Sequence, residues 1–299
     1  MNDFEIGVIL PGIAVQRRDG ITLRDAARHA ENAGLDGVWH GDHLAAGGPT
    51  LDASVALAVA AAATDRITIG TSVLVPAIRP LAWAAKQIAT LQHVSGGRLV
   101  LGVGSGGGPA QWAAAGVPYR DRGRRTDTAL DLLPRLLAGE PTPLPDEAGA
   151  PVAPSPAVPM PPVWVGNASP AAIRRAARYG DGWFPSLITP REVAGGAARL
   201  AELAAGHGRR VPAVAVGGTS ALGGGDVPTR ADIAAGIASA YGRPPEEAAD
   251  VPLTGPPAAA AERLAAYRDA GARHAVIGVA GGDWRTQVDL LAEARSLLR

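Results

Sequence analysis

Residues 71–108 read TSVLVPAIRPLAWAAKQIATLQHVSGGRLVLGVGSGGG. A β-branched run, an Ala- and Leu-rich amphipathic run and a second apolar run follow one another, which reads as strand, helix, strand. The second strand then breaks into glycines. Gly102, Gly104 and Gly107 formally satisfy G-x-G-x-x-G, the dinucleotide-binding fingerprint. A chain with 39 glycines in 299 residues produces that pattern by chance. The place of the stretch in the whole chain therefore decides its meaning.

Working outward, the same alternation continues in both directions. Strands are expected in FEIGVIL (from Phe4), DGVWH (from Asp36), RITIGTSVLV (from Arg66), RLVLGV (from Arg98), VWVG (from Val163), DGWF (from Asp181), VAVGG (from Val214) and HAVIGV (from His274). Helical runs separate them: from Thr22 to Gly34, after Thr50, Leu81 to Val94, Asp121 to Ala138, Pro170 to Tyr179, after Pro190, 229–241 with 256–270, and 285–298. The proline-dense segment PTPLPDEAGAPVAPSPAVPMPP, from Pro141, has no helical period and reads as an extended surface loop. Eight strand–helix pairs imply an α/β fold of the closed (β/α)8 (TIM) barrel type, residues 1–299 as one domain, with an extra helical insertion between strands seven and eight. A doubly wound sheet would carry its glycine fingerprint at the first strand, whereas here the glycines follow the fourth.

Hydrophobic residues make up 47% of the chain, enough for a large core, and 28 basic residues balance 28 acidic ones. That balance gives no electrostatic footprint for nucleic acid and no polybasic face for a membrane. With no cysteine, disulfides and thiolate metal sites are excluded. MNDFEIGVIL lacks the basic flank and long apolar run of a signal peptide, and SVALAVAAAA (from Ser54) is about half a membrane span. A soluble, cytoplasmic protein acting on a small molecule is expected.

In a barrel, chemistry collects at the C-terminal ends of the strands and the loops after them. WHGDH, Trp39 to His43, ends the second strand with histidines that can move a proton near neutrality and with Asp42 beside them. An Asp-His pair in such a loop can equally cap a helix, and His40 can be the inward residue as well as His43. TSVLVP offers small side chains and backbone donors to a flat heterocycle. GVGSGGG allows close backbone approach, or is simply a flexible loop. In VGNASP, Ser169 can cap a helix opened by Pro170, and free amides there make a phosphate seat, with Arg174 and Arg175 one turn on. The six histidines are scattered and suggest no metal site. Ser105 in G-S-G nearly matches a nucleophile elbow but has no evident triad partners.

Three blocks in order, GLDGVWHGDHL (from Gly34), TDRITIGTSVLVPAIRPLAWAAKQIATLQHVSGGRLVLGVGSGG (from Thr64) and PPVWVGNASPAAIRRAARYGDGWFP (from Pro161), resemble the luciferase-like monooxygenase family, most closely its F420-dependent members. The resemblance implies a barrel with insertions and a ring cofactor at its mouth: coenzyme F420 for hydride transfer with a small, uncharged substrate, or alternatively FMN in an FMNH2-dependent monooxygenase. A non-catalytic cofactor-binding barrel is the third reading. By the same resemblance His43 and Asp42 are catalytic, Ser72, Val73 and Val75 back the ring with a cis peptide at Ser72–Val73, and Gly104, Ser105, Gly106 and Gly107 form the adjoining wall. Gly166, Asn167, Ala168 and Ser169 form the phosphate loop, and a homodimer is implied. The family's sugar-phosphate dehydrogenases carry a catalytic glutamate where this chain has Gly107, which argues against sugar-phosphate oxidation.

Overall fold

The computed structural model describes residues 4–44, 49–145 and 149–298. Among these residues the strands are β1 (Glu5–Ile9), β2 (Gly37–His40), β3 (Thr68–Thr71), β4 (Leu99–Val103), β5 (Val163–Gly166), β6 (Gly182–Phe184), β7 (Ala213–Leu222), β8 (Leu253–Gly255) and β9 (His274–Val279). Parallel pairing runs from β1 in order to β7, on to β9, and back to β1. Eight strands thus close a barrel, as the alternation predicts. β8 stands outside the ring and extends the far half of β7, with Ser220 opposite Leu253. The insertion between β7 and β9 therefore holds this strand as well as the helices Arg230–Tyr241 and Pro245–Ala248. Three residues between prolines are too few to show a period, so β8 left no trace in the sequence pattern.

Helices form where an apolar stripe meets a start signal. Leu23–Asn32 begins at Thr22, whose hydroxyl oxygen accepts the Asp25 N–H at 3.1 Å, and it buries Ala26, Ala27 and Ala30 against the sheet. Pro190–Gly206 starts with a full capping box between Thr189 and Glu192. Two short helices, Ile13–Asp19 and Pro109–Ala114, lie beyond the eight expected crossovers. The rim at the strand starts is pinned by charge. Asp36 receives Arg295 at 2.6 and 2.8 Å and the Ile6 N–H at 2.8 Å, and Glu5 pairs with His274 at 3.0 Å.

The barrel interior has a floor. Trp39 and Trp164 stack with ring centroids 4.9 Å apart, Phe184 tilts against both, and Ala215 and Val276 complete the cluster. Indoles of this size fit only because neighbouring strands carry no Cβ. A methyl on Gly7, Gly37 or Gly70 would lie 2.1–2.7 Å from Trp39, and one on Gly182 would lie 2.4 Å from Trp164. Large-beside-small packing thus explains several glycines that have no part in ligand binding.

Candidate active site

Side chains two residues apart on a strand share a face. The inward layer at the floor is formed by Gly7, Trp39, Gly70, Val100, Trp164, Phe184, Ala215 and Val276. Two residues further along each strand, or just past its end, come Ile9, Gly41, Ser72, Gly102, Gly166, Ser186, Gly217 and Gly278. An ordinary barrel fills such a layer with branched side chains. Here it is five glycines, two serines and one isoleucine, and Ile9, Gly41, Ser72, Ser186, Gly217 and Gly278 are partly or fully exposed. At the C-terminal mouth, small residues thus lie above an aromatic floor.

Val73 enters this mouth from β3. The Ser72–Val73 peptide is cis, at the expected position. The Val73 side chain occupies the space that glycines leave: a Cβ would lie 2.5 Å from it at Gly104, 2.9 Å at Gly166 and 3.2 Å at Gly102. Gly104 and Gly166, expected at the cofactor, thus make room for the Val73 side chain. Val75, the other valine expected to back the ring, is placed differently from Val73. It is buried with Ala77 and Trp112 under Gly106, whose own φ is +61°, so its side chain does not face the mouth. Gly107 is exposed, and a Cβ there would meet nothing within 4 Å.

His43 lies at the mouth. A Cβ on Gly41 would sit 3.2 Å from both His43 Nε2 and the Ser72 carbonyl oxygen, which places the imidazole over the small-residue layer. His40 is buried, with Nδ1 2.9 Å from the Gly41 carbonyl oxygen. That bond sets the neutral tautomer with hydrogen on Nδ1. Burial holds its pKa below the ordinary histidine value, and the neighbouring His43 pushes the same way. Asp42 does not orient His43. Its Oδ2 accepts from Arg79 Nη1 at 2.7 Å and from the Val75 N–H at 2.9 Å, and its Oδ1 accepts from Arg79 Nη2 at 2.8 Å. Sequence reading missed Arg79, although an arginine within the apolar run VLVPAIRPLA requires a partner if buried.

Across the mouth, the 166–169 loop is exposed from Asn167 to Ser169. Asn167 has φ +88°, donates its N–H to the Phe184 carbonyl at 3.2 Å and accepts the Ser169 N–H on Oδ1 at 2.8 Å. Its carbonyl takes the Trp183 indole N–H at 2.9 Å. Ser169 caps Pro170–Tyr179, accepting the Ala172 N–H at 3.3 Å. The loop thus leaves fewer amides open than the sequence alone suggests. Among the described residues, Ala168 N–H and Ala171 N–H have no partner. Arg175 is engaged by Asp127 at 2.6 Å and donates to the Ser105 hydroxyl oxygen at 3.3 Å. Among the described residues, no group of three His, Asp or Glu side chains is placed to hold a metal ion. No helix among them is long and apolar enough to cross a membrane.

A family model described as luciferase-like monooxygenase matches residues 16–274. This chain belongs to the luciferase-like monooxygenase family. As a member of that family it is 37% identical over 176 residues to an F420-dependent glucose-6-phosphate dehydrogenase of Beutenbergia cavernae. That match covers 55% of this chain and 52% of the dehydrogenase, so the chain spans about half the length of that relative. It is 36% identical over 118 residues to 4-hydroxyprotoasukamycin monooxygenase of Streptomyces nodosus subsp. asukaensis, covering 39% of this chain and 32% of that enzyme. Among solved structures, an F420-dependent secondary alcohol dehydrogenase in complex with an F420–acetone adduct superposes with a TM-score of 0.79 at 17% identity, covering 99% of both chains. At that identity the likeness shows the luciferase-like barrel alone.

Proposed function

We propose that this chain binds coenzyme F420 at the barrel mouth and catalyses hydride exchange with a small, uncharged organic molecule. The observation that carries the reading is the exposed layer of glycine and serine above the Trp39–Trp164 floor. Small residues there would leave room for a flat ring, and a relative of this chain in Beutenbergia cavernae is named for F420. The residues present fit such a group. Its ring would lie over the small-residue layer against Val73, and its phosphate would take the Ala168 and Ala171 amides at a helix N-terminus. A bound deazaflavin supplies two-electron hydride chemistry and reacts poorly with oxygen.

The chain's own residues do the rest. His43 holds or delivers a proton at the mouth, where its ring lies over Gly41. His40, buried and kept neutral, adds no competing positive charge beneath it. The Ser105 oxygen accepts from Arg175, which leaves its own hydrogen free to donate elsewhere. Arg79 is occupied by Asp42 and Val75, and the β3 loop is otherwise apolar, both of which suit an uncharged substrate. The open position of Gly107 supports the same restriction, because no carboxylate projects there.

Titration of the pure protein with F420 and with FMN tests the reading. Micromolar or tighter binding of F420 is expected, and binding of neither cofactor would end it. The monooxygenase relative favours a second reading, an FMNH2-dependent monooxygenase. Oxygen uptake with reduced FMN separates the two. We also propose that the protein acts as a homodimer.

A further inference from the structure

We infer that Arg79 is a positioning residue, clamping Asp42 and Val75 so that the His43 loop is held against the β3 wall of the cofactor site. The inference takes its ligand from the F420 reading above. Ladder pairing between β2 and β3 ends at His40 and Thr71, and the Ser72 N–H to His40 carbonyl bond follows at 2.9 Å. Beyond that point the two segments diverge into loops, one carrying His43 and the other leaving Val73 for the 3₁₀ turn Pro76–Ile78. The clamp continues the connection. Both Asp42 oxygens receive Arg79, at 2.7 and 2.8 Å, Asp42 also receives the Val75 N–H at 2.9 Å, and Arg79 Nη1 reaches the Val75 carbonyl at 3.0 Å.

Both terminal nitrogens of Arg79 are used. The two backbone groups of Val75 and the whole Asp42 carboxylate are engaged, and the Asp42 side chain is only 9% exposed. A planar fork meets a carboxylate with two parallel bonds, which a lysine ammonium cannot do. Asp42 is therefore not available as an acid or base. It transmits the position of Arg79 to the neighbouring residue, His43. The outer side of Arg79 lines a cleft of about 190 Å³ between the Pro76–Leu81 segment, helix Arg122–Leu137 and Leu144. Removal of the Arg79 side chain would extend this cleft towards Asp42.

The test uses the full chain with Arg79→Ala and Arg79→Lys, each verified as folded by circular dichroism. F420 affinity is expected to fall by about tenfold to a hundredfold in Arg79→Ala. Arg79→Lys should recover only part of the loss, and millimolar ethylguanidinium should restore binding to Arg79→Ala but not to Arg79→Lys. A merely structural ion pair would lower the melting temperature and leave the affinity of the folded variant unchanged, and that result would overturn the inference. Should Arg79→Ala fail to fold, Asp42→Asn, which keeps the shape and removes the charge, is read in the same way. NMR of the His43 ring in the protein without cofactor provides an independent arm. The ring signal should shift and broaden in the variants, and an unaltered signal would refute the clamp. If the parent protein bound no F420, the functional reading would fail while this arm still decided the inference.

Discussion

The contact between Val73 and Gly104 shows how a single residue type can be read correctly and assigned the wrong neighbour. Glycines after β4 do signal close approach, but the approaching group at Gly104 is a side chain from β3, and nothing local in the sequence says which strand fills the gap. The consequence is testable by denaturation. Gly104→Ala would set a methyl 2.5 Å from Val73 Cγ2 and should destabilise by about 1–3 kcal/mol. Val73→Ala in the same chain should recover part of that cost, because the two sites share one space. Gly107→Ala, with nothing in reach, should change stability by less than about 0.5 kcal/mol. His40 gives a pH signature. Its folded-state pKa lies below the unfolded value of about 6.5. The unfolded chain therefore binds the proton more readily, and the stability His40 contributes is complete above that value and lost as pH falls through and below it. The urea midpoint of the parent protein should fall more between pH 7.5 and 5 than that of His40→Gln. Equal slopes would show that His40 is not the titrating group.

Helix Pro170–Tyr179 and its entry loop were legible as an element and only half legible as a site. Ser-Pro before an amphipathic run predicts a capped start, and Ser169 is the cap. The hidden part is how Asn167 uses its groups: its left-handed backbone returns the side chain to the Ser169 N–H, and its carbonyl holds Trp183. Such bonds depend on β6 lying alongside, which short-range pattern cannot reveal. Cap and anion seat can be separated by substitution. Ser169→Ala should cost about 0.5–2 kcal/mol in stability, since the Ala172 N–H loses its acceptor. Ser169→Asp keeps an excellent cap and should leave the melting temperature near that of the parent. Its negative charge, beside the Ala168 and Ala171 amides, should nevertheless weaken F420 binding at low ionic strength, with the deficit shrinking as salt rises. If Ser169→Asp bound the cofactor as tightly as the parent, the phosphate seat would have to lie elsewhere.

At the scale of the molecule, eight strand–helix alternations were enough to predict barrel closure, because parallel strands need crossovers and a ring leaves no edge. Pattern failed where elements are short: β8 and the helix Pro109–Ala114 lack the length to show a period. It also left the outer surface of helix Ala53–Ala63 unexplained. ASVALAVAAAA is apolar but for Ser54, and a helix apolar nearly all round calls for cover on more than one side. The barrel covers Ala53, Ala56, Leu57, Ala60 and Ala61, while Val55 and Val59 face outward at 66% and 40% exposure. On the adjacent helix Leu81–Val94, Trp83 is 69% exposed. Exposed valines and an open indole on two adjacent helices have the composition of a protein interface centre, where a buried aromatic residue dominates affinity. A second copy of this chain is the proposed cover. Trp83→Glu should therefore raise the dimer dissociation constant by about thirtyfold or more, the effect of losing a hot-spot side chain worth about 2 kcal/mol. Sedimentation velocity over a dilution series would register the shift. Because Trp83 lies outside the barrel core, the variant's circular dichroism should match the parent's. A parent protein that sediments as a monomer at every concentration would leave this apolar face without its proposed partner.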